Sequence, residues 1–109
     1  MISDADAGAQ VQVRSFDLAD YDEVFALWRA AAPGVELRPS DSRQEVARRC
    51  QRDGELFLVA ECGGAIIGVV MGGWDGRRGW IHHLAVAPEE RGRGVGSVLL
   101  AALEEQARA

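Results

Sequence analysis

The segment Arg91-Gly92-Arg93-Gly94-Val95-Gly96-Ser97 joins two guanidinium groups to three glycines just ahead of an apolar run with helical spacing. That combination suits an anion. The first backbone N–H groups of a helix lack intrahelical partners, and glycines let a ligand approach them closely. A phosphate placed there also meets the positive end of the helix dipole. Arg91 and Arg93 add charge and fork-shaped donors. Two common phosphate motifs are absent. No G-x-x-x-x-G-K-[ST] occurs, and the dinucleotide fingerprint fails because position 97 is Ser and too little chain follows for its second strand. Without a ligand, the same residues read as a glycine-rich loop carrying two solvated arginines.

The elements that must hold this segment follow from periodicity. Gln10 to Phe16 alternates as a half-buried strand does, with Val11 and Val13 on one side. Asp20-Tyr21-Asp22-Glu23 has the form of a capping box, and Tyr21, Val24, Phe25, Trp28 and Ala32 then recur at helical spacing up to Pro33-Gly34. Val35 to Pro39 reads as loop. Ser42-Arg43-Gln44-Glu45 opens a second, shorter helix through Arg52, whose arginines form a solvated face. A strand over Glu55 to Glu61, a turn at Cys62-Gly63-Gly64 and a return strand over Ala65 to Gly72 make a hairpin. The continuous apolarity of Ile66, Ile67, Val69, Val70 and Met71 places that hairpin at the centre of a sheet. Gly73 to Gly79 turns the chain again, with Trp74 its most exposed aromatic residue, whereas Trp28 is expected in the core. Trp80 to Ala87 is the third strand of the meander. In the last helix Val98, Leu99, Ala102 and Leu103 repeat at three and four and face the sheet.

Composition narrows the class. At 109 residues the chain is expected to form one domain, with residues 1–9 unpacked and the folded part over 10–109. A net charge of -5 argues against nucleic acid as a partner, and all 12 basic residues are Arg. No apolar run approaches a membrane span and the N-terminus is acidic, so a cytoplasmic protein is expected. Cys50 and Cys62 have neither metal-ligand nor disulfide spacing and read as free thiols. No metal is expected.

In this context Arg91, Gly94 and Gly96 occupy the three defining places of the R/Q-x-x-G-x-G/A motif of the GNAT N-acetyltransferases, and Leu84-Ala85-Val86 with Pro88 leads into it. The chain from Val11 to Arg108, including FLVAE, VMGGWDGRRG and LAVAPEERGRG, resembles a small bacterial branch of that family. The resemblance implies an α+β fold of three layers around a mixed sheet, in the order β-α-α-β-β-β-α. It implies acetyl-coenzyme A beside the strand Trp80 to Ala87, with backbone groups of Leu84, Ala85 and Val86 on the pantetheine arm. Residues Arg91, Gly92, Arg93, Gly94, Val95, Gly96 and Ser97 would then hold the pyrophosphate.

The implied reaction moves an acetyl group from the thioester to the amine of a small molecule or protein. A backbone N–H of Leu84 or Ala85 would donate to the carbonyl oxygen, and His82 or His83 could take the amine proton. Adjacent in a strand, the two histidines are expected on opposite sides, His82 with Trp80 and Leu84, His83 with Ile81 and Ala85. A satisfied sheet histidine is the reading without chemistry. Glu61 and Asp75 are further candidates, although turn chemistry accounts for Asp75.

Members of the family usually continue past this helix with further strands and a helix. The expectation is therefore a partial domain: a truncated or frame-shifted product, a fragment, or a short form completed by a second copy as a homodimer. A non-catalytic coenzyme A-binding or dimerisation module is the alternative to an enzyme.

Overall fold

The computed structural model describes residues 11–31, 42–74 and 79–108, and gives only the backbone of Asp53, Glu55, Trp74, Gly79, Trp80 and His82. The expectations for residues 1–9, for the loop after Pro33 and for Asp75 lie outside the described residues, as do those for the side chains of Trp74 and Trp80.

Gly63 and Gly64 have φ of 59° and 84°, which L side chains seldom adopt. Two such residues make the tight turn whose twist matches a hairpin. They join β2 (Phe57–Cys62) to β3 (Ala65–Trp74). With β1 (Gln12–Ser15) and β4 (Gly79–Val86), these strands form one sheet in the order β1-β2-β3-β4. Every pairing between the four is antiparallel. The helices are α1 (Tyr21–Ala30), α2 (Arg43–Asp53) and α3 (Val95–Arg108). The order of elements is the one read from the sequence.

Alternation along β2 divides the core between the two faces. Phe57 and Val59 join Val24, Trp28, Val46, Val69 and Met71 beneath α1 and α2, while Leu58 and Ala60 join Val70, Val95, Leu99 and Leu103 beneath α3. The result is helices, sheet and helix in three layers, with the hairpin central as expected. On α3 the buried stripe is Val95, Leu99 and Leu103, whereas Val98 is 43% exposed. Residues four apart drift little around a helix, so Val95 rather than Val98 completes the inward row. Gly68 lets α3 approach closely: a Cβ there would lie 2.9 Å from both Leu99 Cδ1 and Val95 Cγ1. That contact sets the start of α3 over the middle of β3.

The cap of α1 differs from expectation. Asp17, not Asp20, is the capping residue, and it starts a short 3-10 turn over Leu18–Asp20; the side chain of Asp20 makes no cap bond to α1. Its carboxylate instead receives the N–H of Asp17 and the Arg14 guanidinium, which also reaches Glu61 at 3.1 Å. Glu23 accepts the Ile66 N–H at 2.8 Å, tying α1 to β3. Ser42 does cap α2, through the Glu45 N–H at 3.3 Å. Cys50 and Cys62 are half-buried free thiols, and burial pushes the Cys50 thiol up.

Candidate functional site

β4 is an edge strand, paired with β3 on one side. Its register gives Val69 opposite Ala85 and Met71 opposite His83, but Gly72 opposite Ile81, so His82 is an extra residue in a β-bulge. The Ala87 N–H donates to Ile67 O at 2.8 Å. In an antiparallel ladder hydrogen-bonded pairs alternate with open ones, so Val69–Ala85 and Met71–His83 are also hydrogen-bonded pairs. The backbone N–H and C=O groups of Ala85 and His83 therefore face β3, and those of Leu84 and Val86 face the open edge. This corrects the expectation that Ala85 could offer its N–H outward, and leaves Leu84.

The bulge also corrects the side chains. Met71 belongs to the core beneath α1 and the next residue of β3 points the other way, so the pairing puts His83 under α1 and Ile81 under α3. Ile81 shares its face with Leu84, not with His83. It lines an apolar groove of about 320 Å³ with Leu100 and Leu103 of α3. Ile81 and Leu84 are 52% and 37% exposed. Of His82 only the backbone is described. His83 is half-buried, its ring edge-on to Trp28 with centroids 5.1 Å apart. Trp28 is fully buried, and its Nε1 has no hydrogen-bond partner among the described residues. Glu61 lies two strands from β4 and pairs with Arg14, so the structure separates it from this site.

After β4 a short 3-10 turn, Pro88–Glu90, leads to Arg91. Gly92 and Gly94 both have φ of 83°, and the space around them is open. The glycines are thus required by the backbone path rather than by crowding. Gly94 O accepts the first bond of α3, from the Val98 N–H at 3.0 Å. The N–H groups of Val95, Gly96 and Ser97 form the first turn, which has no preceding turn of helix to bond. Gly96 sits against the end of β4, where a Cβ would be 3.8 Å from Val86 Cγ2. Arg91 and Ser97 are exposed, and Arg93 pairs with Glu90. An open strand edge and a helix start carrying glycines and arginines thus meet at one end of β4. That arrangement fits a ligand with an amide-bearing arm and a phosphate group.

The profile of the Acetyltransferase (GNAT) family matches residues 21–109. An acetyltransferase of Yersinia enterocolitica is 43% identical over 97 residues, which cover 88% of this chain and 67% of the relative. The chain belongs to the GNAT acetyltransferase family. Solved structures that share its fold include the following two. Ard1 from Thermoplasma volcanium superposes with a TM-score of 0.74 at 23% identity, covering 91% of this chain and 64% of that one. The paiA N-acetyltransferase of Thermoplasma acidophilum, in complex with coenzyme A, gives 0.77 at 17%, covering 90% and 72%. This GNAT chain thus spans about two thirds of the length of these relatives.

Within the GNAT fold the Leu84–Val86 triplet at the end of β4 adjoins the turn at 91–97, with Gly96 against Val86. Three features were not visible in the sequence: the bulge at His82, the direction of each backbone group along β4, and the pairing of Glu90 with Arg93. A bulge needs one strand counted against its partner, and no signal within β4 marks it. Glu90 could have been noticed, since a Glu three residues before an Arg can pair with it across a turn. No helix among the described residues is long and apolar enough to cross a membrane, and none of their His, Cys, Asp or Glu side chains group to hold a metal.

Proposed function

We propose that this chain carries the cofactor-binding part of an acetyl-coenzyme A-dependent N-acetyltransferase acting on an amine of a small molecule or protein. The observation that carries the reading is the convergence of the open edge of β4 with the left-handed glycine turn at the start of α3. The complex of the Thermoplasma acidophilum neighbour with coenzyme A supports it. When bound, acetyl-coenzyme A supplies the acetyl group as a thioester.

On this reading each part of the site has a task. The N–H groups of Val95, Gly96 and Ser97, the turn through Gly92 and Gly94, and the side chain of Arg91 hold the pyrophosphate, while Arg93 is engaged by Glu90. The outward backbone groups of Leu84 and Val86 pair with the amide-bearing arm, and the Leu84 N–H polarises the thioester carbonyl. His82 or His83 takes the proton that the amine must lose.

Calorimetric titration with acetyl-coenzyme A, followed by thiol release with a panel of amines, tests this. Arg91→Ala should weaken binding about tenfold, the scale of one charge-assisted hydrogen bond. Unchanged affinity would sink the pyrophosphate assignment. Turnover in the parent that is lost in His82→Gln or in His83→Gln identifies the base, and binding without any turnover selects the non-catalytic coenzyme A-binding module instead.

A further inference from the structure

The two arginines of the turn are not equivalent. Arg91 is exposed, whereas Arg93 directs Nη1 at both carboxylate oxygens of Glu90, 3.1 Å from Oε1 and 3.0 Å from Oε2. Glu90 is the more enclosed partner, its side chain 17% exposed against 39% for Arg93. The pair closes across Arg91 and Gly92, and so across one of the two left-handed residues of the turn. Glu90 is also tied to the sheet: its N–H donates to Ala87 O at 2.8 Å, and the Ala87 N–H donates to Ile67 O on β3. Beyond Arg93, Gly94 accepts the first bond of α3. A continuous set of contacts therefore runs from β3 through Ala87, Glu90 and Arg93 to the residue that starts the helix.

By charge alone, a carboxylate beside an anion site is unfavourable. We propose that Glu90 is a positioning residue of the coenzyme A site, bracing the turn through Arg93 so that Arg91 and the first N–H groups of α3 are held ready for the pyrophosphate. This rests on the coenzyme A reading above. A turn with two glycines has many accessible conformations, and ordering it at the moment of binding would subtract from affinity. The brace removes that freedom beforehand. Its effect is opposite in sign to the electrostatic one.

Coenzyme A is titrated by calorimetry into the 109-residue chain and into Glu90→Gln, Arg93→Glu and the double exchange Glu90→Arg with Arg93→Glu. Glu90→Gln weakens coenzyme A about two- to fivefold although it removes a negative charge, because a partly exposed ion pair is worth that much. Arg93→Glu weakens it further, and the double exchange, which restores the pair in reverse, returns affinity to within about twofold of the parent. Glu90→Gln that tightens or leaves affinity unchanged overturns the brace. So does a double exchange as weak as Arg93→Glu, which would make the Arg93 cation itself the anion ligand. Arg91→Ala is the separate control: if it binds coenzyme A as the parent does, or if the parent does not bind, the underlying assignment fails rather than the brace alone.

Discussion

Asp20 shows how one carboxylate can hold a local bond, from the Asp17 N–H, and a longer-range one to Arg14. Its place ahead of α1 suits a cap, but the Arg14 guanidinium offers two hydrogen bonds, at 2.8 and 3.0 Å, and joins it to Glu61 of β2. Hydrogen bonding to Arg14 holds the Asp20 carboxyl below the usual carboxylate range, against the opposing effect of partial burial. A carboxyl whose pKa is lowered on folding contributes stability above its unfolded pKa of about 3.9, and that contribution is lost as pH falls through the folded value. Asp20→Asn should therefore cost about 1–2 kcal/mol at pH 7, a figure reduced because Arg14 is partly exposed. The gap from the parent should close on acidification below about pH 4, as the parent's own Asp20 takes up its proton. Urea unfolding at neutral and acid pH measures both, and a gap independent of pH would show that the ion pair is not its source.

At the scale of elements, β4 and the start of α3 work as one unit, and their glycines have different reasons. Gly94 is needed for its left-handed φ of 83°, which a Cβ strains even in open space. Gly96 lies inside α3, without a positive φ, and a Cβ there would make an ordinary 3.8 Å contact with Val86. This explains why the third defining place of the R/Q-x-x-G-x-G/A motif admits alanine and the second does not. Gly94→Ala should weaken coenzyme A about tenfold, as 1–2 kcal/mol of strain is taken from binding. Gly96→Ala should raise the melting temperature slightly, since alanine favours a helix by about 0.5–1 kcal/mol over glycine. Calorimetry and thermal melts on the two variants check the contrast, and equal losses of affinity would count against it.

The whole molecule is a sheet covered on both faces, with β2 and β3 inside and β1 and β4 at its edges. Amide exchange should follow that plan. The slowest amides belong to β2 and β3, while along β4 protection alternates: Ala85 and His83 are slow, Leu84 and Val86 fast. Coenzyme A should slow Leu84 and Val86 selectively. Protection of those two amides without ligand would instead mean that a second copy covers the edge, and sedimentation of the same sample would show it.

Much of this architecture is written locally. Alternation in β2 and β3, the Gly63-Gly64 turn and the helical spacing of Val24, Trp28, Leu99 and Leu103 are properties of short segments, so the order of elements and the glycine turn at 91–97 were legible in the sequence. The family resemblance rested on the same local residues. What only the tertiary structure decided depends on comparing one segment with another. The bulge at His82 appears only when β4 is counted against β3, and it moves Ile81 to the face of Leu84. The outward direction of the Leu84 N–H follows from a bond between Ala87 and Ile67, 20 residues apart in the chain. Asp20 serves Arg14 of β1 and the backbone of Asp17 rather than the start of α1, and the Arg14 contact lies across two elements. Periodicity specifies which residues turn inward; only packing specifies which partner each of them, and each exposed edge, then meets.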